Sequence, residues 1–420
     1  MSQLVSAKRT LPLRAVQCLG FVGLALPWAA HADLVDDSHL SLNFRNLYLN
    51  RNFTNTDAAT SKVGNWSQGF DLQFQSGYTD TPLAIGVDAN AQYALRLDST
   101  GNDGSLPYNT YEQKAADNYG RAGATLKMRY SKTELKIGDQ KPNLPIASND
   151  PSRQLDTIYQ GAVLDSKEID GLTLTGGRFW SSVTRESADH ANLYKYGSSD
   201  DLDSKGLDFG GATYALTPNL ETSYFYGVLH DIYQQHYVGL KHTLGLGNGY
   251  TLKTDLGYFN NNEDGNALAG EVDNRSYSGL VTLLKGSHLF GVSYQRMLGD
   301  TVFPTLNGYV PQPYLPNWAG LPFIRPNERS WSVRYGYDFV GMGVPGLKLF
   351  TRYIKGTDIE RGAGLSQDQE SERDIFLSYV VQNGAMKGLS FELKNFYTQS
   401  RYGNDYDEYR FVTSYTWKIW

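Results

Sequence analysis

Residues 83–98, LAIGVDANAQYALRLD, alternate between two kinds of side chain over sixteen positions. The apolar series is Leu83, Ile85, Val87, Ala89, Ala91, Tyr93, Leu95 and Leu97, and most of the positions between carry Gly, Asp, Asn, Gln or Arg. Because successive side chains of a β-strand point to opposite faces, the segment has one apolar face and one polar face. Sixteen residues are long for a strand of a globular protein but suit a tilted strand that crosses a bilayer. The polar face would then meet water inside a pore.

The two-residue period recurs along the chain and predicts eighteen strands. They are 39–51, 66–78, 83–98, 119–131, 132–139, 157–168, 171–180, 206–216, 219–229, 235–243, 250–260, 276–285, 287–296, 328–338, 347–356, 372–382, 388–398 and 408–419. Short turns alternate with long polar or proline-rich connections, except that 230–234 is short where a long loop is due. This alternation is typical of an outer-membrane barrel with short periplasmic turns and long extracellular loops. We therefore expect residues 33–420 to form one all-β domain, a transmembrane antiparallel barrel.

The composition agrees with a barrel. The chain contains 30 Tyr, 18 Phe, 7 Trp and 43 Gly, as expected of aromatic girdles and glycine-rich walls. The mean hydropathy of −0.45 and the lack of a run of about 18 apolar residues after residue 32 argue against a helical membrane protein. They do not argue against a barrel, since its strands place apolar residues only at every second position.

The first 32 residues resemble a secretory signal. Lys8, Arg9 and Arg14 precede an apolar segment at 15–26, and the triplet AHA at 30–32 fits a cleavage site. The only cysteine, Cys18, would be removed with this segment, so we expect neither a disulfide nor a cysteine-ligated metal. Loss of the three basic residues would change the net charge from −6 to −9, which argues against a nucleic-acid partner.

Several short motifs resemble the OprD-type substrate-specific porins. They are DDS at 36–38, LNFRN at 42–46, NR at 50–51, WSQGF at 66–70, SGYT at 76–79, RAG at 121–123, SKT at 131–133, DIY at 231–233, GD at 299–300, GVPGL at 343–347, RYIKG at 352–356 and YVVQ at 379–382. These motifs are spread over nearly all of residues 33–420. The resemblance implies a barrel of about eighteen strands in the bacterial outer membrane, with one long extracellular loop folded inward.

The resemblance also implies where solutes pass. The inward loop would be 140–156, whose prolines would stiffen a segment that has no sheet partners. Arg153 falls at the family's position for an arginine of the narrowest part, and Asp300 at that of an acid on the facing wall. A ladder of basic wall residues is matched by Arg51, Arg129, Arg352, Lys394 and Arg410. Glu392 and Ser378 depart from it, because the family often has a base at those two positions.

The implied function is passive uptake of small carboxylate-bearing nutrients through a narrow eyelet lined by the basic ladder. Among these nutrients we expect cyclic or aromatic acids, because Glu392 and Ser378 leave the ladder less basic. Spaced bases along a pore wall raise the local concentration of anions, and arginine can hold a carboxylate by two hydrogen bonds. Amino acids or small peptides are the alternative substrates. Other expected partners are outer-membrane lipid, lipopolysaccharide and the barrel-assembly machinery, with the protein a monomer or a weak homotrimer and no cofactor.

The sequence disfavours two other classes of protein. An outer-membrane hydrolase is disfavoured because the histidines outside the signal do not form a nucleophile or zinc motif such as G-x-S-x-G or H-E-x-x-H. A secreted β-sandwich would not need eighteen strands with apolar outer faces and loops that are long on one side only. The sequence therefore indicates a channel and not an enzyme.

Overall fold

The fold is a closed barrel of eighteen antiparallel strands, described from a computed structural model that covers residues 31–55, 57–199, 201–307, 311–362 and 365–420. We number the barrel strands β1 to β18 in chain order. They are His39–Phe53, Lys62–Gln75, Ala84–Thr100, Asn118–Tyr130, Thr133–Gln140, Ile158–Ser166, Leu172–Val183, Leu207–Thr217, Leu220–Leu229, Tyr233–Gly247, Tyr250–Glu263, Asp273–Lys285, His288–Leu298, Arg329–Asp338, Leu347–Ile359, Asp368–Val380, Ser390–Ser400 and Tyr406–Lys418. The remaining elements are a helix at His31–Asp36, a 3-10 turn at Phe339–Met342 and two hairpins of two-residue strands.

Each strand pairs with its neighbours in sequence, and β1 also pairs with β18, for example Leu47 opposite Val412. This last pairing closes the sheet, so no edge strand is left without a partner. Among the described residues, no helix is long and apolar enough to cross a membrane.

The structure confirms the prediction of eighteen strands, one for each predicted segment. Several strands are longer than predicted at their extracellular ends: β16 begins at Asp368, not at residue 372, and β2 begins at Lys62, not at residue 66. The reason is that the added residues are mostly polar and lie beyond the apolar zone, so they continue the backbone pairing without the hydrophobic alternation. The short connection predicted at 230–234 is found between β9 and β10. Residues 1–30 of the predicted signal lie outside the described residues.

The lipid-facing side chains are the apolar series of each strand. On β12, Tyr277 and Val281 are exposed on the outer wall, while Ser276 and Ser278 between and beside them are buried towards the lumen. The lumen is partly filled by a hydrophobic cluster in which wall residues contact loop residues such as Ile146, Leu193, Leu306 and Trp318. The loops that fold inside the barrel therefore have an apolar core of their own.

The opposite polarity of the two faces leads to a testable difference between adjacent residues. Val281 on the outer wall of β12 contacts lipid, and Thr282 next to it faces the lumen. We expect Val281→Arg to lower the free energy of unfolding by about 2–4 kcal/mol, the cost of arginine on the lipid face near the midplane. Thr282→Arg is the matched control and should cost much less, because water can solvate its guanidinium. Urea titration in phospholipid vesicles measures both, and equal losses would contradict this orientation.

Candidate functional site

The long loop at 141–157, between β5 and β6, folds into the barrel, where it contacts the wall on one side and the loop at 299–328 on the other. We call it the inward loop. On one side, Gln154 donates to the Arg45 carbonyl oxygen at 3.0 Å and accepts from Ser67 Oγ at 3.0 Å. On the other side, the Pro145 carbonyl oxygen accepts from Gln312 Nε2 at 2.7 Å. Because its contacts lie inside the barrel, the loop divides the lumen, as the sequence predicts.

Close contact between this loop and the walls depends on glycine. A Cβ atom added to Gly69 on β2 would lie 1.9 Å from Gln154 Nε2, and one added to Gly227 on β9 would lie 3.1 Å from Ile146 Cβ. Wall strands with small residues at these positions leave room for the loop. A hairpin within the loop, in which residues 143–144 pair with 147–148, fixes its tip.

Three of the predicted site residues meet around one buried carboxylate. Arg51 on β1 donates through Nε to Glu408 Oε2 at 2.6 Å, and Arg410 on β18 contacts Oε1 of the same side chain at 2.5 Å. Glu408 is 0% exposed, and Arg153 of the inward loop lies within electrostatic range of all three groups. We call these four residues the arginine cluster. Its three cations outnumber its one anion. With the nearby Asp103 and the Arg185–Asp150 ion pair counted as well, four cations face three anions, so the cluster keeps a positive charge.

Arg153 is held by the loops and has donor capacity left. Its Nε donates to the Asp103 carbonyl oxygen at 3.3 Å, and its Nη1 to the carbonyl and hydroxyl oxygens of Ser152 at 3.2 and 3.3 Å. Its Nη2 makes no hydrogen bond to a residue that the structure describes. Burial, Arg410 and Arg185 lower the pKa of Arg153 to about 9, which leaves the guanidinium charged at neutral pH. Arg153 can therefore bind an anion.

The other predicted ladder residues lie elsewhere on the inner wall. Arg352 on β15 forms an ion pair with the buried Asp374, and Lys394 on β17 lies 2.8 Å from Glu392. Lys394 is opposite Arg410 in the strand register, which connects it to the arginine cluster. Glu392, which departs from the family's basic pattern, thus neutralises the base beside it.

Arg129 and Asp300 are not brought to the arginine cluster. Arg129 is exposed near the periplasmic end of β4 and lies over the Tyr78 ring, 4.1 Å from its centroid. Asp300 is exposed just after β13 and forms no hydrogen bond or ion pair with any of the described residues. The role of Asp300 as an acid that faces Arg153 stays a prediction.

The sequence interpretation missed a second group of charged residues inside the barrel. Lys141 of the inward loop bridges Asp71 on β2 at 3.1 Å and Asp156 at 2.8 Å. Although burial lowers the pKa of Lys141, these two carboxylates outweigh it and raise that pKa above its ordinary value. Asp71 and Asp156 also line a cavity of about 290 Å³ together with Arg45. Arg45 could have been found from the sequence, because it has the same strand parity as Arg51.

A cavity of about 500 Å³ lies against β10–β15. Its charged lining includes Arg334 and Arg352, and its aromatic lining includes Tyr237, Tyr314 and Trp318. Arg334 stands on the face of β14 that the alternation predicts to be polar, but it was not among the predicted site residues. The Tyr314 hydroxyl donates to the Asn143 carbonyl oxygen at 3.0 Å, so this cavity borders the inward loop.

Comparison with known proteins agrees with this geometry. Residues 32–419 match the family model described as outer membrane porin, OprD family. The porin-like protein GalP of Pseudomonas putida is 37% identical over 93% of this chain and 95% of its own length. The crystal structure of OpdL of Pseudomonas aeruginosa is 45% identical with a TM-score of 0.84, and that of OpdK with vanillate from the same organism is 36% identical with a TM-score of 0.87. Each of these two covers 92% of this chain and 100% of the solved one.

Proposed function

Because the chain belongs to the OprD family of outer membrane porins, we propose that it passes small carboxylates between the inward loop, which carries Arg153, and the wall that carries Arg51 and Arg410. The family and the barrel indicate the bacterial outer membrane, and the relatives are channels, which are not enzymes. The observation that carries the proposal is the excess positive charge of the cluster, where three arginines surround the single carboxylate of Glu408.

The physical basis is the net positive charge of the arginine cluster, which attracts a solute carboxylate. Arg51 and Arg410 both pair with Glu408, so a solute carboxylate can approach them without facing an uncompensated wall acid. Arg153 adds an unpaired Nη2 from the loop side. Several weak sites of this kind attract an anion and still release it, as conduction requires. The low-dielectric wall strengthens the attraction.

Aromatic and cyclic acids are the preferred substrates. The 500 Å³ cavity combines Arg334 and Arg352 with the rings of Tyr237, Tyr314 and Trp318, a lining that suits a ring bearing a carboxylate. OpdK was solved with vanillate, which is itself an aromatic carboxylate. Both observations support this class of substrate.

Amino acids or small peptides are the second candidate. Asp71 and Asp156 line the 290 Å³ cavity together with Arg45, and this combination can hold an ammonium and a carboxylate at once. The two acids also hold Lys141, so an amino group would compete with that lysine.

Uptake into liposomes separates the two candidates. We expect benzoate and cyclohexanecarboxylate to enter faster than alanine, lysine or dialanine at equal low concentration, because the arginine cluster has excess positive charge. Liposomes that hold the heat-denatured protein control for leakage. Faster entry of the amino acids would favour the second candidate, and equal rates for all solutes, including neutral sugars, would show a general porin instead.

Two expectations from the sequence stay predictions. They are that the protein is a monomer or a weak homotrimer, and that the barrel-assembly machinery inserts it.

A further inference from the structure

A band of basic side chains lies on the outer wall of the barrel near the extracellular ends of five consecutive strands. We call it the outer basic band, and its members on β12 to β16 are Arg275, Arg296, Arg329, Lys355 and Arg373. Each has the strand parity of the exposed, lipid-facing residues. On β13, for example, Arg296 shares the face of Val292 and Tyr294, which are 56% and 43% exposed. The band therefore faces the membrane and not the pore.

The strand register makes the band continuous. Arg296 stands directly opposite Arg329, and Arg296 is also opposite Tyr277, the next outward residue after Arg275. Further along, Trp331 is opposite Lys355, and Tyr353 is opposite Arg373. Side chains at directly opposed positions of antiparallel strands are neighbours. The five bases thus form one surface across β12–β16.

The band lies at the level of lipid headgroups. Two residues further into the membrane, the same outward faces carry the aromatic residues Tyr277, Tyr294, Trp331 and Tyr353. Aromatic side chains on the outside of a barrel mark the boundary between the hydrocarbon and the headgroups. Bases one step above that boundary meet headgroups, and the exposed Val333 and Ile375 below it meet acyl chains.

Most basic side chains of the outer basic band are not neutralised by acids of the protein. Asp358 contacts Arg329 and lies 3.8 Å from Arg296, so one carboxylate serves two arginines. Arg275, Lys355 and Arg373 form no ion pair with any described residue. Arg373 only donates to the Asn395 side chain at 2.5 Å and lies 5.5 Å from the centre of the Tyr397 ring.

Two other parts of the outer wall, at the same height along the barrel, have no such excess of positive charge. On β7 and β8, Arg178 is matched by an acid, since its Nη1 lies 3.4 Å from Asp208, which also pairs with His230. On β11, which adjoins the band, the corresponding outward residues are the neutral Asn260 and Asn262. The excess of positive charge therefore belongs to the β12–β16 side.

We propose that the outer basic band binds the phosphate groups of lipid A, the phosphorylated glycolipid of the outer leaflet, whose acyl chains lie on the apolar wall below. Arginine binds phosphate through two parallel hydrogen bonds, and a row of arginines reaches both phosphates of one lipid or those of adjacent lipids. The site is on the lipid side of the wall and does not depend on which solute crosses the pore. It ties one side of the barrel to ordered lipid.

The test is binding of bis-phosphorylated lipid A to the folded protein in detergent micelles. The triple variant R275Q/K355Q/R373Q removes three bases that lack ion pairs. At about fivefold per charge near an anionic headgroup, we expect its affinity to fall on the order of 100-fold. R178Q, on another part of the wall, is the matched control and should bind lipid A as the wild type does. Unchanged heat-modifiable migration and single-channel conductance would show that each barrel is intact.

A second variant tests the proposal in the opposite direction. D358N releases Arg296 and Arg329 from their carboxylate and should tighten lipid A binding several-fold. Asparagine suits this position because the φ angle of Asp358 is 61°, a conformation that asparagine adopts readily. Dephosphorylated lipid A should bind wild type as weakly as the triple variant binds lipid A. Inorganic phosphate in millimolar amounts should not displace the lipid. Equal lipid A affinity of wild type, the triple variant and D358N would overturn the proposal, as would equal binding of the dephosphorylated lipid or displacement by free phosphate.

Discussion

Deleting residues 143–150 of the inward loop is expected to raise single-channel conductance several-fold and to weaken discrimination between solutes. These residues supply Ile146 to the hydrophobic cluster in the lumen and the carbonyl oxygens of Asn143 and Pro145 to the loop at 299–328. Without them the divided lumen becomes one wider passage. The strand ladder is outside the deletion, so the barrel itself should still form. Planar bilayer recordings at fixed salt concentration give the conductance.

A point variant checks that the effect comes from opening the lumen. Gln312→Ala removes the 2.7 Å hydrogen bond to Pro145 but leaves the loop in place, so its conductance should stay close to wild type. An unchanged conductance in the deletion variant, with normal heat-modifiable migration, would mean that the narrowest part of the pore lies elsewhere.

Arg153→Ala is expected to lower uptake of the preferred acid by about 10- to 150-fold at limiting concentration, the equivalent of losing one charge-assisted hydrogen bond of about 1.5–3 kcal/mol. Arg153 belongs to a loop and not to the sheet, so the barrel should remain folded. Arg153→Lys should restore part of the uptake, because lysine keeps the charge but lacks the planar pair of donors. Initial rates of labelled benzoate entry into liposomes measure all three proteins.

A wall variant separates Arg153 from the rest of the basic ladder. Arg352 is already neutralised by the buried Asp374, so Arg352→Gln should reduce uptake less than Arg153→Ala does. The reverse order would move the main contact with the substrate to the wall of β15, beside the 500 Å³ cavity. Equal uptake by wild type and both Arg153 variants would remove this residue from the mechanism.

The strands could be predicted because lipid imposes a strict rule on every second residue. In residues 83–98 the outward positions had to be apolar, and the same constraint sets the phase of Val281 and Val333. The rule does not apply at the ends of the strands, because these lie outside the hydrocarbon layer. At the start of β16, Gln369 and Ser371 occupy the outward parity but are polar because they stand above the apolar zone, so alternation no longer indicates pairing there.

The contacts of the pore were harder to predict because they join distant parts of the chain. Arg51 and Glu408 are separated by 357 residues, and only the closure of β1 on β18 makes them neighbours. The family resemblance singled out Arg51, Arg153 and Arg410 but gave no reason to choose Glu408. Lys141 was missed because its two partners lie on β2 and at the far end of its own loop.

The wall bases also show why a positive charge on the pore wall does not by itself identify a residue that binds substrate. Arg352 and Lys394 each have a carboxylate beside them, at Asp374 and Glu392. Such pairs stabilise the wall, and their bases attract a solute less than unpaired ones do. In the arginine cluster the numbers of acids and bases differ, and this imbalance is the feature that distinguishes it.

The central claim is that excess positive charge at the arginine cluster selects a carboxylate, and the most direct test compares benzoate with benzamide. The two solutes have nearly the same size and differ mainly in charge. The ratio of their entry rates should favour benzoate in wild-type liposomes and fall towards one in Arg153→Ala, because benzoate slows while benzamide does not. An identical ratio in the two proteins, or faster entry of benzamide into wild-type liposomes, would contradict the account.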